Sequence, residues 1–191
     1  MDPFYSFLIF ALVLALDLLA GQFWWKWYYR FGLPVLVSRR EWAAAAPSAL
    51  AAPALAESLT PTFHGRPEHP SIRFKPLSER LVAFREVLFE NRGGGRYLPV
   101  MHYTLRLHPD ERSLSVTGYL NGYVMVALAY LVYRAWAEPS FLPVAALILI
   151  ILSLSFIAQV SVSRRVLDAA AAAGRSATSI TTEQSSKQST E

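Results

Sequence analysis

Apolar positions along this chain are gathered into three long blocks, separated by a middle region in which apolar and polar residues alternate and followed by a polar tail. The first block, residues 4 to 25, reads FYSFLIFALVLALDLLAGQFWW and is interrupted by one charge, Asp17. The second, residues 118 to 137, is GYLNGYVMVALAYLVYRAWA, and the third, residues 141 to 162, is FLPVAALILIILSLSFIAQVSV. Each is long enough, as a helix rising about 1.5 Å per residue, to cross a hydrocarbon layer of ~30 Å. Only Glu138, Pro139 and Ser140 lie between the second and third blocks, which predicts a helical hairpin broken by Pro139, with Ser140 placed to cap the next helix. Pro143 then falls in that helix's first turn, where a missing N–H is tolerated. The first block has Asp2 but no Lys or Arg before it, and LLAGQ carries glutamine where a lipoprotein needs cysteine. It therefore reads as a retained helix and not as a cleaved signal.

The middle region begins with GQFWWKWYYRFG, in which Trp24, Trp25, Trp27, Tyr28 and Tyr29 crowd around Lys26 and Arg30. At the end of a spanning helix such rings favour the headgroup level, while the two cations reach toward water and anionic lipid, so the stretch reads as an interfacial anchor. Residues 26 to 70 hold this anchor, a short helix from Arg39 to Ala46 suggested by the capping-box spacing of Ser38 and Glu41, and an alanine and proline spacer. Residues 71 to 117 change to strand periodicity. MHYTLRL and SLSVTGYL alternate strictly, and HPDER between them carries the Pro-Asp pair of a turn. SIRFK and RLVAFREVLF read as two further strands, although Leu77, Leu81, Phe84 and Leu88 also fit a helical spacing. Residues 163 to 191 form a tail, with SRRVLDAAAAAG a helical extension ended by Gly174 and the hydroxyl-rich remainder disordered.

The pattern predicts an integral membrane α-helical protein with three transmembrane helices, one N-terminal and two in a C-terminal hairpin, and a small antiparallel β domain inserted between helices 1 and 2. Composition supports a membrane class: 53% of residues are hydrophobic and 17% charged. Charge sets the threading. Lys26, Arg30, Arg39, Arg40, Arg106, Arg112, Arg164, Arg165 and Arg175 all fall on one side of the blocks, against Arg134 on the other, so the positive-inside rule puts the β domain and C-terminus in the cytoplasm and the N-terminus outside. The expected location is a cell membrane, of the bacterial inner type. The chain has no cysteine, which excludes disulfides, thiolate metal sites and cysteine nucleophiles.

Candidate chemistry is sparse. Asp17 lies about 13.5 Å along the helix from Lys26, near mid-bilayer, where a carboxylate calls for a partner. At the matching depth the third block offers Ser153 and Ser155, with Gln159 one turn nearer the cytoplasm. Such a site can pair helices or accept protons. The loop Arg92, Gly93, Gly94, Gly95, Arg96 can form an anion or headgroup nest, but lacks the ending of a phosphate-binding P-loop. His64, Glu68 and His69 are metal-capable types at the wrong spacing, interrupted by Pro67 and Pro70, so no metal and no cofactor is expected. No nucleophile, base and acid stand in a catalytic context. The sequence therefore points to a non-catalytic membrane protein presenting its β module to a partner protein, to a second copy of itself or to membrane lipids, with no nucleic acid. The alternative is a subunit of an ion- or proton-handling complex that uses Asp17.

Overall fold

Strands β1 (Pro34–Glu41), β2 (Ile72–Ser78), β3 (Leu81–Glu86), β4 (Met101–His108) and β5 (Ser113–Leu120) form one antiparallel sheet in the order β1-β5-β4-β3-β2. The computed structural model describes residues 3–24, 26–30, 32–41, 51–63, 71–86, 100–108 and 113–188. Register places Val82, Leu105, Val116 and Ser38 in one row, and Ala83, Thr104, Thr117 and Val37 in the next. Because successive side chains point to opposite faces, the first row and its equivalents line one apolar face. That face carries Ile72, Val82, Phe84, Met101, Tyr103, Leu105, Leu114 and Val116, all buried, with Phe84 and Tyr103 stacked at 4.8 Å.

Two helices cover it. The first, α3 (Ala52–Phe63), buries Ala52, Leu55, Ala56, Leu59 and Phe63, one stripe at helical spacing. The second is the C-terminal half of α5 (Leu142–Gln188), which contributes Val162, Val166, Leu167, Ala170 and Ala171. Arg40 of β1 also reaches Asp168 of α5 at 3.1 Å. At the other end of the molecule, α1 (Pro3–Gln22) packs beside α4 (Gly122–Ala137), and α4 turns through a 3-10 turn at Pro139–Phe141 into α5. A five-residue helix, α2 (Lys26–Arg30), lies on the opposite face of the sheet.

The three-helix membrane architecture expected from the sequence is overturned. The chain has a mixed α/β fold built on the five-stranded sheet, and among the described residues one helix, within Pro139–Gly174, is long and apolar enough to cross a membrane. The reason lies at the block ends. Gly118, Tyr119 and Leu120 are strand residues paired to β4 and β1, so α4 keeps 16 residues, about 24 Å of helix, short of a ~30 Å layer. The first block also loses its end, because α1 stops at Gln22. Two further expectations fall to the sheet. The segment read as a helix from Arg39 supplies β1, whose Ser38 and Arg39 pair with Val116 and Ser115, and the alanine and proline spacer contains the core helix α3. Helix α5 also continues through Gly174 as far as Gln188.

Candidate functional site

Helix α1 stops at Gln22 because the chain there turns left-handed. Phe23 N–H donates to the Leu19 carbonyl and Trp24 N–H to that of Gly21, while Trp24 itself has φ 53°, a closing conformation that glycine ordinarily takes. Tryptophan is held in it from two sides. Its ring stacks on Tyr29 at 5.4 Å, and the Arg85 guanidinium lies 5.3 Å from the Trp24 ring centroid. A Cβ on Gly21 would come within 2.6 Å of Arg85 Nη1, so the guanidinium rests against the last turn of α1, where helix carbonyls favour a cation.

The turn aims α2 at the sheet. Tyr28 stacks on His102 of β4 at 4.1 Å, Tyr29 meets the same imidazole edge-on at 5.2 Å, and Tyr119 of β5 stacks beside it at 5.5 Å. Tyr29 is fully buried together with Leu77, Leu81 and Ala83, which makes a second small core on this face. The anchor is therefore divided. Trp24, Tyr28 and Tyr29 turn inward, whereas Lys26 and Trp27 are exposed, Trp27 to 76%, and Arg30 ends α2. Trp25 lies outside the described residues.

His102, 3% exposed, is the centre of a polar cluster that joins sheet to helices. Its Nε2 lies 3.0 Å from the Tyr28 carbonyl oxygen and its Nδ1 2.9 Å from Asn121 Oδ1. The Tyr28 hydroxyl donates to the same Asn121 oxygen at 3.2 Å and is in hydrogen-bonding contact with the Asp17 carboxylate, and Tyr123 shares the Asn121 side chain. Asn121 occupies the N-cap position of α4, yet its side chain does not cap that helix. Asp17 does so from α1, its Oδ1 accepting the Gly122 N–H at 3.1 Å. Burial holds the His102 imidazole down at about 4, against the opposing pull of its bonds to Asn121 and Tyr28. Burial likewise pushes the Tyr28 and Tyr29 hydroxyls above the usual tyrosine range, with Asp17 adding to both shifts.

A separate polar joint ties α5 to β4. Gln159, fully buried, accepts the Val100 and Met101 N–H groups at 3.0 Å each through Oε1, and the Tyr103 hydroxyl donates to the Gln159 carbonyl at 3.1 Å. Its Nε2 has no hydrogen-bond partner among the described residues. Ser155 is buried and Ser153 exposed. Asp17 finds its partners in Gly122 and Tyr28, which sets it level with the first residue of α4, at the sheet end of the helices. The loop Arg92 to Arg96 and the residues His64, Glu68 and His69 lie outside the described residues. Among the described residues no three metal-capable side chains cluster.

Sequence reasoning missed His102 and Asn121. His102 stands in the polar phase of MHYTLRL, and nothing local signals that α2 folds back over it. Asn121 directly before an apolar run is a readable cap signal, but its side chain is used elsewhere. Comparison of the chain with protein-family models, with curated proteins and with solved structures finds no match.

Proposed function

We propose that this chain is a membrane-anchored protein whose apolar helical end holds the sheet domain at a lipid surface, where the domain serves a partner protein as a scaffold or accessory module. One observation carries this reading. Along the first half of α5, Leu147, Ile150, Ile151, Leu154 and Ile157 are each at least half exposed, the largest value being 64% at Ile157. A run of that kind costs about 25 cal/mol for each Å² of apolar surface left in water, and lipid removes the cost. Exposed Phe23 and Trp27, with Lys26 beside them, fit the headgroup level where this end meets the sheet domain. The cations Arg164 and Arg165 follow the apolar half of α5 and favour a cytoplasmic sheet domain.

Expression of the full chain in bacterial cells followed by alkaline carbonate extraction tests the anchoring. The protein is expected in the membrane pellet; quantitative release to the supernatant would overturn the proposal. A single cysteine at Ser58 of α3 tests the side on which the sheet domain lies: an impermeant thiol reagent applied to intact cells should spare it. A second reading, proton handling by a membrane complex, is favoured by the continuous side-chain contact from Asp17 through Tyr28 and Asn121 to His102. Complementation by Asp17→Asn separates the two, because only the proton-handling reading requires a group that ionises there.

A further inference from the structure

His102 faces more acceptors than a neutral ring has protons. Nε2 is 3.0 Å from the Tyr28 carbonyl and Nδ1 is 2.9 Å from Asn121 Oδ1, and neither oxygen can donate. An imidazolium, with two N–H groups, satisfies both; a neutral imidazole satisfies one. The neutral ring is matched when the Asn121 amide turns over, since oxygen and nitrogen exchange places with almost no change of shape. The amide nitrogen then gives one hydrogen to Nδ1 and directs the other at the Tyr28 oxygen, and the Tyr28 hydroxyl proton goes to Asp17.

We propose that His102, Asn121, Tyr28 and Asp17 form a proton-operated latch between the sheet and the apolar helices, in which protonation of the imidazole turns the Asn121 amide and moves the Tyr28 hydrogen bond from Asp17 to Asn121. One proton enters, at Nδ1, and no covalent bond between heavy atoms changes. In the charged arrangement Nδ1–H and the Tyr28 hydroxyl both donate to Asn121 Oδ1, at 2.9 and 3.2 Å, and Asp17 keeps the Gly122 N–H alone. Because Asp17 caps α4 from α1, an event on β4 is felt where those two helices meet. The faces of Tyr28 and Tyr119 on either side of the ring suit a cation there.

The groups that face His102 set the balance. Asp17 of α1 favours the charged ring. Arg85 of β3, which follows the Phe84–Tyr103 pair one strand away, opposes it. Tyr28 and Tyr29 of α2, Tyr119 of β5 and Tyr123 of α4 supply rings and hydroxyls. The hydrogen-bond swap, and not bulk charge, links the ring to Asp17.

The test uses the full chain in detergent micelles and two readings across pH: the ¹⁵N ring shifts of His102, and hydrogen exchange at the Gly122 amide corrected for its intrinsic rate. The neutral ring is expected as the Nε2–H tautomer, and Gly122 protection should rise about tenfold through the same midpoint as ring protonation, because Asp17 then accepts that amide alone. His102→Gln should remove the step at Gly122. Tyr28→Phe keeps the stacked ring and should leave the imidazole titrating while the Gly122 step disappears. An Nδ1–H tautomer in the neutral form would overturn the latch. So would a Gly122 step that survives in His102→Gln, because titration of Asp17 itself would then be its source. If either variant fails to fold, the wild-type tautomer and the coincidence of the two midpoints decide the matter.

Discussion

The two halves of α5 use the same residue types in opposite surroundings. From Leu142 to Ile157 apolar side chains point in all directions, and Leu147, Leu154 and Ile157 are 59%, 61% and 64% exposed. From Val162 to Ala171 the apolar residues keep to one side, where Val166 and Ala170 are fully buried on the sheet, while Arg164, Arg165 and Asp168 occupy the other. A helix that is apolar all round needs an apolar solvent; one with a single apolar stripe needs a single partner. The second half has its partner in the sheet, whereas the first half touches α4 and the core on one side only, at Ala145, Leu152 and Phe156, and leaves the rest of its apolar surface uncovered within the described chain. The lesson is that hydropathy reports how much apolar surface a helix has, and only its angular distribution reports what covers it.

Placing a charge in each half breaks this comparison in two different ways. Val166→Asp puts a carboxylate with no partner against the sheet face and should cost about 4 kcal/mol, enough to unfold a marginal domain. Urea unfolding followed by the sheet's circular dichroism measures it, and an unchanged midpoint would show that α5 does not cover the sheet. Ile151→Arg, in the exposed half, should leave that midpoint alone and instead oppose membrane insertion by about 3 kcal/mol. The readout is the share of protein recovered in the membrane fraction. Loss of sheet stability in Ile151→Arg would mean that both halves belong to one core.

Acid should act on the sheet end through His102. The imidazole is held at about 4 in the folded protein, against an ordinary value near 6.5, so in the unfolded chain it takes a proton first as the pH falls. Its contribution is fully present above pH 6.5, decreases between pH 6.5 and 4, and changes no further below 4; the full span is worth about 3 kcal/mol. His102→Gln should flatten this part of the pH dependence. Equal acid sensitivity in the variant would place the titrating group elsewhere.

How much of this was legible varies with the distance between interacting residues. The β4 and β5 alternation could be read because each strand's pattern is local and their turn carries its own signal. The stripe of Leu55, Leu59 and Phe63 was equally present, but alanine and proline around it concealed a helix under a linker composition. Of the apolar blocks, the first and second were read too long at the sheet side, because residue type does not reveal that Gly118 to Leu120 end a strand. Asp17 stood out at once as a charge among apolar residues. Its use did not, since the amide it accepts lies 105 residues away and the tyrosine beside it reaches that position only after the turn at Trp24.

The smallest expected effect concerns this carboxylate, at the boundary between the covered and uncovered regions. Asp17 holds the first amide of α4, a task that asparagine performs as well as aspartate at a helix N-terminus, so Asp17→Asn should change stability by no more than a few tenths of a kcal/mol. Asp17→Leu removes the acceptor and leaves the Gly122 N–H and the Tyr28 hydroxyl without it. The cost should be about 1 kcal/mol, the ordinary penalty for a lost cap. Hydrogen exchange at Gly122 reports the loss directly, and protection there should drop in the leucine variant while β4 and β5 amides stay protected, since Val116 and Leu105 belong to the core on the far face. Matching losses in the asparagine and leucine variants would show that the charge, and not the acceptor oxygen, joins the two regions at this point.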